Sequence, residues 1–264
     1  MTAFLLDMDG VLYHGNKVLQ GALEFVEQVS QHQYLFVTNN PTRSPAQVAD
    51  RLSQMGFSDV CAEQVLTSAD AAALWLGQQK PGFRYFAIGA KALHETLAKA
   101  GTDDPEQADF VVVGEGPGLD YEKLTLGINL VLSRKARLVA TNPDSSVDSW
   151  CKGEAQVLPG GGALVAPFEV ATGQRAVVIG KPHRFLYEMA TERLGVSPDD
   201  CIMVGDRPDT DVAGAAAMGM KTALVRTGRF LPGSPWPKDI ARADWDVETL
   251  TELQAALRAA GIFR

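Results

Sequence analysis

Long apolar runs are missing from this chain: none approaches the ~20 residues that a helix needs to cross a bilayer, so no membrane span is expected. Cysteine is scarce. The three present, Cys61, Cys151 and Cys201, are scattered and show no CxxC spacing. That excludes a zinc site or disulfide framework of the usual kind and fits a reducing compartment. Positive charge is in short supply, with 24 lysines and arginines against 32 aspartates and glutamates, a formal net charge of −8. Such a balance argues against an electrostatic grip on nucleic acid or on an anionic membrane. It leaves room for a small anionic substrate held by a local cationic site. A basic leader is not expected either, since the strand-like AFLL starts at residue 3. The expectation is a cytoplasmic protein with neither nucleic-acid nor membrane partners. Tandem repeats and low-complexity tracts are also absent.

What is present is a regular alternation. Hydrophobic residues make up 46% of the chain, enough for a sizeable core. Short β-rich runs (AFLLD, YLFVTNN, QVLTS) are separated by amphipathic segments such as GALEFVEQVSQH. In SPAQVADRLSQMGF, Ser44 reads as an N-cap, Pro45 as the first helical residue and Gly56 as the stop. The rhythm continues through FRYFAIG, ADFVVVG, ARLVATN, AVVIGKP, CIMVGDRPDTD and KTALVRT to a terminal helix in VETLTELQAALRAAG. Strands this apolar suit a parallel sheet covered on both faces. Two stretches, GQQKPGF and ATGQR, have linker composition. They suggest one domain split in sequence, residues 1–77 and 179–264, around an inserted domain at 78–178. Periodicity alone leaves one continuous sheet as the alternative.

Polar residues follow the strands in a pattern. AFLL ends in Asp7, YLFV in Thr38 and Asn39, AVVIG in Lys181 and CIMVG in Asp206. Parallel strands place their carboxyl ends on one edge, where ligands bind. If these strands are neighbours, the four clusters converge. A carboxylate is a competent nucleophile toward a phosphoryl group, and phosphoryl transfer needs positioning and charge neutralisation above all. Lys181 supplies a cation; Asp7 and Asp206 are hard oxygen ligands suited to Mg²⁺. Thr38 and Asn39 offer donors to phosphoryl oxygens, and Gly10 lets the backbone turn tightly and present its amides. Asp9, two residues beyond Asp7, is placed to protonate the leaving oxygen and then activate water. Asn142 and Asp144 follow a predicted strand and, with Asn40, are the candidate substrate contacts. Gly160 to Gly162 either open a helix whose amides face a ligand or serve ordinary loop and helix-start chemistry, and the second reading stands slightly ahead.

The motifs DMDGVLY, VTNN, GKP and GDRPDTD stand in the order found in the haloacid dehalogenase superfamily of aspartate-nucleophile phosphatases, which this sequence resembles over nearly its whole length. VTNNPTRSP, ATNPD and LPGGGAL are similar to stretches of the p-nitrophenyl-phosphatase and nucleotide-phosphatase-like branch. The resemblance implies an α/β fold: a Rossmann-like, doubly wound parallel-sheet core with an inserted α/β cap domain. It implies Asp7 as nucleophile and Mg²⁺ ligand, Asp9 as general acid/base whose backbone carbonyl reaches the metal, and Lys181 as a restraint on Asp7. Gly10, Thr38, Asn39 and Lys181 would hold phosphate; Asp206 and Asp211 would complete the metal site. Pro208 departs from the family, which commonly has an aliphatic residue there. The implied activity is Mg²⁺-dependent hydrolysis of small phosphomonoesters, nucleotide or sugar phosphates, with p-nitrophenyl phosphate as a model substrate. A phosphotransferase or mutase, or a non-catalytic phosphometabolite sensor, are the alternatives. The resemblance also allows a homodimer through the cap.

Overall fold

The apolar tetrapeptide Ala3–Leu6 is buried along its whole length, with no alternation between faces. That is the mark of a strand covered on both sides. In the computed structural model, which describes residues 2–151 and 154–263, it lies inside a six-stranded sheet. The order is Trp245–Val247, Lys221–Val225, Cys201–Gly205, Ala3–Leu6, Gln33–Thr38 and Val65–Thr67. Ala3–Leu6 pairs in parallel with both Cys201–Gly205 and Gln33–Thr38, and the pairings out to Trp245–Val247 are parallel as well. On one face Phe4, Leu6, Phe36 and Val204 pack with Phe25 and Val29 of helix Ala22–Val29 and with Leu253 and Leu257 of helix Leu250–Ala259. Alternate residues such as Leu5 and Leu35 turn to the other face. There helix Arg184–Leu194 lies against Gln33–Thr38 and buries Leu186, Tyr187 and Ala190.

The chain forms two compact units. The first is Met1–Thr38, Pro45–Leu66 and Lys181–Arg264; the second is Asn39–Ser44 and Thr67–Gly180. The second has its own parallel sheet, ordered Val177–Val178, Arg137–Ala140, Phe110–Val113, Arg84–Ile88 and Thr102–Asp103. Phe86, Ile88, Val111, Val113 and Leu138 pack there with Leu130 and Val131 of helix Tyr121–Ser133 and Val165 and Phe168 of helix Gly161–Thr172. An antiparallel hairpin, Ser146–Cys151 with Glu154–Pro159, completes it. Apart from the short excursion of Asn39–Ser44, the chain changes unit at residues 66/67 and 180/181, whereas linker composition places the joins at 77/78 and 178/179. Packing explains the first offset. Helix Ser68–Gln79 precedes the linker-like GQQKPGF, yet its Trp75 sets its ring edge-on to Phe110 of the second sheet.

One strand is placed differently from the sequence expectation. AVVIG is expected beside the core strands, delivering Lys181 to their carboxyl edge. Instead Val177–Val178 is only a two-residue strand, and it pairs with Val139 and Ala140 in the second sheet. Two β-branched residues can extend either sheet, and periodicity does not choose between them. Lys181 is reached only after the chain has left that strand.

Candidate active site

Asp7 directly follows Ala3–Leu6, and its N–H continues the ladder by donating to the Val204 carbonyl at 2.9 Å. Asp206 directly follows the neighbouring strand Cys201–Gly205. Two adjacent strands therefore deliver two carboxylates to one edge. The third, Asp211, comes from a π-helical turn at Pro208–Val212, a wide turn often found at functional sites. Its N–H donates to the Arg207 carbonyl at 3.0 Å, and its Oδ2 accepts from the Arg207 N–H at 3.1 Å. Gly205 is required beneath it, because a β-carbon there would lie inside contact distance of the Asp211 side chain. Pro208, the departure from the family pattern, is buried at the start of this turn.

Oxygens of Asp7, Asp206 and Asp211 all lie within 4.8 Å of one another. Lys181, 1% exposed, meets the group from the side. Its Nζ stands 3.1 Å from Asp7 Oδ2 and 2.8 Å from Asp211 Oδ1, and donates to the Val37 carbonyl at 3.3 Å. An ammonium can donate three hydrogens; the Val37 carbonyl takes one, and the two carboxylates meet the ammonium as ion pairs. Charge is nevertheless unbalanced, since one ammonium faces three carboxylates. Burial pushes the Asp7 carboxyl up to about 7, with Lys181 opposing the rise and Asp211 adding to it. Asp206 is raised well above the usual carboxylate range, first by burial and then by Asp211 and Asp7. Burial alone would lower Lys181, but Asp211 and Asp7 outweigh it and hold the ammonium charged. Clustered, buried, hard oxygens short of positive charge suit a divalent cation such as Mg²⁺. Asp211 Oδ1 has an ion-pair contact but no aligned hydrogen-bond donor, which is consistent with a further cationic partner.

Asp9 is exposed, outside the group of Asp7, Asp206 and Asp211, and its Oδ2 accepts from Tyr13 Oη at 3.4 Å. Gly10 between them has φ +82, a conformation that favours glycine, and a β-carbon there would stand 2.5 Å from Asp206 Oδ2. Thr38 is the last residue of its strand and is buried. The segment after strand Lys221–Val225 braces Asp206. The Arg229 N–H donates to Asp206 Oδ2 at 2.8 Å, and Thr227 Oγ1 donates to the Gly10 carbonyl at 2.6 Å. Gly228 lies so close that any β-carbon would overlap the Asp206 carboxylate. TGR after a strand is a weak signal, because the bracing group is a backbone amide. Gly228→Ala should therefore displace Asp206 and weaken the affinity of this carboxylate group for a divalent cation roughly 10–100-fold, the scale seen when support behind a metal-binding group is lost. Calorimetric titration with Mg²⁺ alone checks this; unchanged affinity would show that Asp206 is not held from this side.

The other expected residues gather in the second unit. Asn39 Nδ2 donates to Asp144 Oδ2 at 3.0 Å. Asn40 Oδ1 accepts from Thr42 N–H and Oγ1 at 2.8 and 2.6 Å, closing its own loop. Asn142 is fully buried and bonds to Asn39 and to Glu115, a buried carboxylate that no sequence motif marks. Of the two readings of Gly160 to Gly162, amides that face a ligand or ordinary helix-start chemistry, the bonding fits the second. The Gly161 N–H donates to Asn142 Oδ1 and the Gly162 N–H to the Asp144 carbonyl, so both are spent inside the protein.

Residues 4–103 match the haloacid dehalogenase-like hydrolase family, and residues 178–253 match its HAD-hydrolase-like companion. A 5'-nucleotidase, YutF, of Bacillus subtilis is 38% identical over 94% of this chain and 96% of its own length. An acid sugar phosphatase of Staphylococcus haemolyticus is 35% identical over 85% of each chain. The p-nitrophenyl phosphatase of Archaeoglobus fulgidus superposes with a TM-score of 0.87 at 28% identity, covering 97% of this chain and 99% of that one. With the paired carboxylates at the sheet edge and relatives of this extent, the chain belongs to the haloacid dehalogenase-like hydrolases, among the phosphatases of that family.

Proposed function

We propose that the protein hydrolyses small phosphomonoesters in the cytoplasm with Mg²⁺ and through a phosphoryl-Asp7 intermediate. The observation that carries this is Asp7 itself: a strand-end carboxylate paired at 3.1 Å with a buried lysine and grouped with Asp206 and Asp211. Asp7 Oδ attacks phosphorus, and the ester oxygen leaves as Asp9 gives it a proton. Asp9 then takes a proton from water, which displaces phosphate from Asp7. Lys181, fixed by its three partners, orients the Asp7 carboxylate and offsets negative charge. Thr38 and Asn39 hold phosphoryl oxygens. Asp7, Asp206 and Asp211 would hold the Mg²⁺. When bound, the ion supplies charge neutralisation for the phosphoryl group and the Asp7 carboxylate. The named relatives point to sugar phosphates or nucleotides as substrates, with p-nitrophenyl phosphate as a convenient probe.

The test is phosphate release from a panel of sugar phosphates, nucleoside monophosphates and p-nitrophenyl phosphate. Activity should vanish with chelator and return with Mg²⁺, with water as the sole acceptor. Chelator-resistant turnover would remove the metal from the account, and transfer to an added sugar would make the protein a phosphotransferase. In the same assay Asp9→Asn should lower kcat roughly 10²–10⁴-fold. If it alters only KM, its acid/base role is wrong.

A further inference from the structure

Asn142 and Asp144 look, in sequence, like residues that touch substrate. Their bonding points elsewhere. An amide side chain has two hydrogens to donate and two lone pairs to accept with. Asn142 Nδ2 donates to the Asn39 carbonyl at 2.8 Å and to Glu115 Oε1 at 2.9 Å. Asn142 Oδ1 accepts from the N–H groups of Asp144 and Gly161 at 3.1 and 3.2 Å. Every hydrogen-bonding position of this buried amide is filled by the protein, leaving none for a ligand. Asp144, 6% exposed, accepts from Asn39 Nδ2 at 3.0 Å. The Asn39 carbonyl receives a second bond, from Ser68 Oγ at 2.6 Å. Asn39 is thus held at its side chain by Asp144 and at its backbone by Asn142 and Ser68.

The holding residues are themselves built in. Thr67 caps helix Ser68–Gln79 in a reciprocal capping box with Asp70, which fixes the position of Ser68. The run Gly160–Gly161–Gly162 presses against the Asn142–Asp144 loop. A β-carbon at Gly161 would stand 2.8 Å from Asn142 Oδ1, and one at Gly160 or Gly162 would overlap the backbone of Asp144 or Pro143. Those glycines serve close approach between helix start and loop, not anion binding.

We propose that Asp144 and Asn142 are positioning residues which act on the reaction through Asn39. The inference rests on the reading in which Asn39, one residue after the strand-end Thr38, holds phosphoryl oxygens. It follows that these residues govern every phosphomonoester alike, since the phosphoryl group is common to all. A residue touching the remainder of the substrate would instead discriminate among esters.

The experiment compares kcat/KM for p-nitrophenyl phosphate, a sugar phosphate and a nucleoside monophosphate in Asp144→Ala, Asn39→Ala and the double variant. Inorganic phosphate serves as a competing inhibitor. Asp144→Ala should lose up to about 10²-fold, the scale of a misplacement near 1 Å, by one common factor across the esters. Inhibition by phosphate should weaken in parallel. The double variant should be no worse than Asn39→Ala alone, because both changes remove the same interaction. Asp144→Asn keeps an acceptor oxygen and should recover most of the loss. Should the alanine variant fail to fold, Asp144→Ser, whose shorter side chain cannot reach Asn39 Nδ2, takes its place in the same comparison. Losses that multiply in the double variant, or that differ from ester to ester, overturn the inference. A wild-type protein inactive on every ester overturns the phosphatase reading and this inference with it; an active one with scattered variants overturns the inference alone.

Discussion

Asp7→Asn eliminates turnover, by at least about 10⁴-fold, the scale seen when a catalytic nucleophile is removed, and leaves the fold intact. Asparagine keeps the shape of the side chain and an oxygen for the Met8 N–H, which now donates to Asp7 Oδ1 at 2.8 Å. Lys181 retains Asp211 at 2.8 Å, so its buried ammonium is not orphaned. Stability should even rise in chelator. The Asp7 carboxyl is raised to about 7, chiefly by burial, so the folded protein holds this proton where the unfolded chain has released it. Stability from this group therefore falls as pH rises from its ordinary value toward 7 and stays low above. The neutral amide has no such dependence. Thermal unfolding of both proteins across that window, with chelator present, reads the difference. Retained turnover in the variant would refute the nucleophile assignment.

Lys181→Met has the second large effect, and it falls on stability as well as activity. Lys181 is 2% exposed at its side chain and stands between Asp7 and Asp211. Removing one partner of a buried ion pair costs about 3–5 kcal/mol, because the remaining charge is left uncompensated. Against a total stability of about 5–15 kcal/mol this is a large share. The loss should be greatest above pH 7, where Asp7 ionises, and added Mg²⁺ should recover part of it by supplying positive charge. Urea unfolding with and without Mg²⁺ measures both. A variant as stable as the wild type at pH 8 would show that the carboxylates are not charged together.

Much of this was legible in the sequence because the chemistry sits where a regular element ends. AFLL and CIMVG are continuous apolar runs, so their strands are plain, and each stops at a carboxylate that the sheet then places beside the other. Ser44–Pro45 and Gly56 mark a helix, and Pro45–Gln54 is one. What was not legible depends on partners distant in the chain. Whether Val177–Val178 joins one sheet or another is decided by Val139 and Ala140, not by its own composition. The Arg229 N–H that braces Asp206 is backbone, and sequence patterns do not display backbone donors. Asn142 has the look of a ligand residue. Only the occupancy of all its hydrogen-bonding positions reveals that it is committed inside the protein.

The central claim is that Asp7 takes the phosphoryl group covalently. Turnover with Mg²⁺ and p-nitrophenyl phosphate, quenched in acid and reduced with borohydride, converts an acyl phosphate to an alcohol at the modified side chain. Peptide mapping by mass spectrometry should find the reduced residue at position 7, and none in Asp7→Asn. Reduction at a different carboxylate, or active enzyme with no modified peptide at any time point, would contradict it.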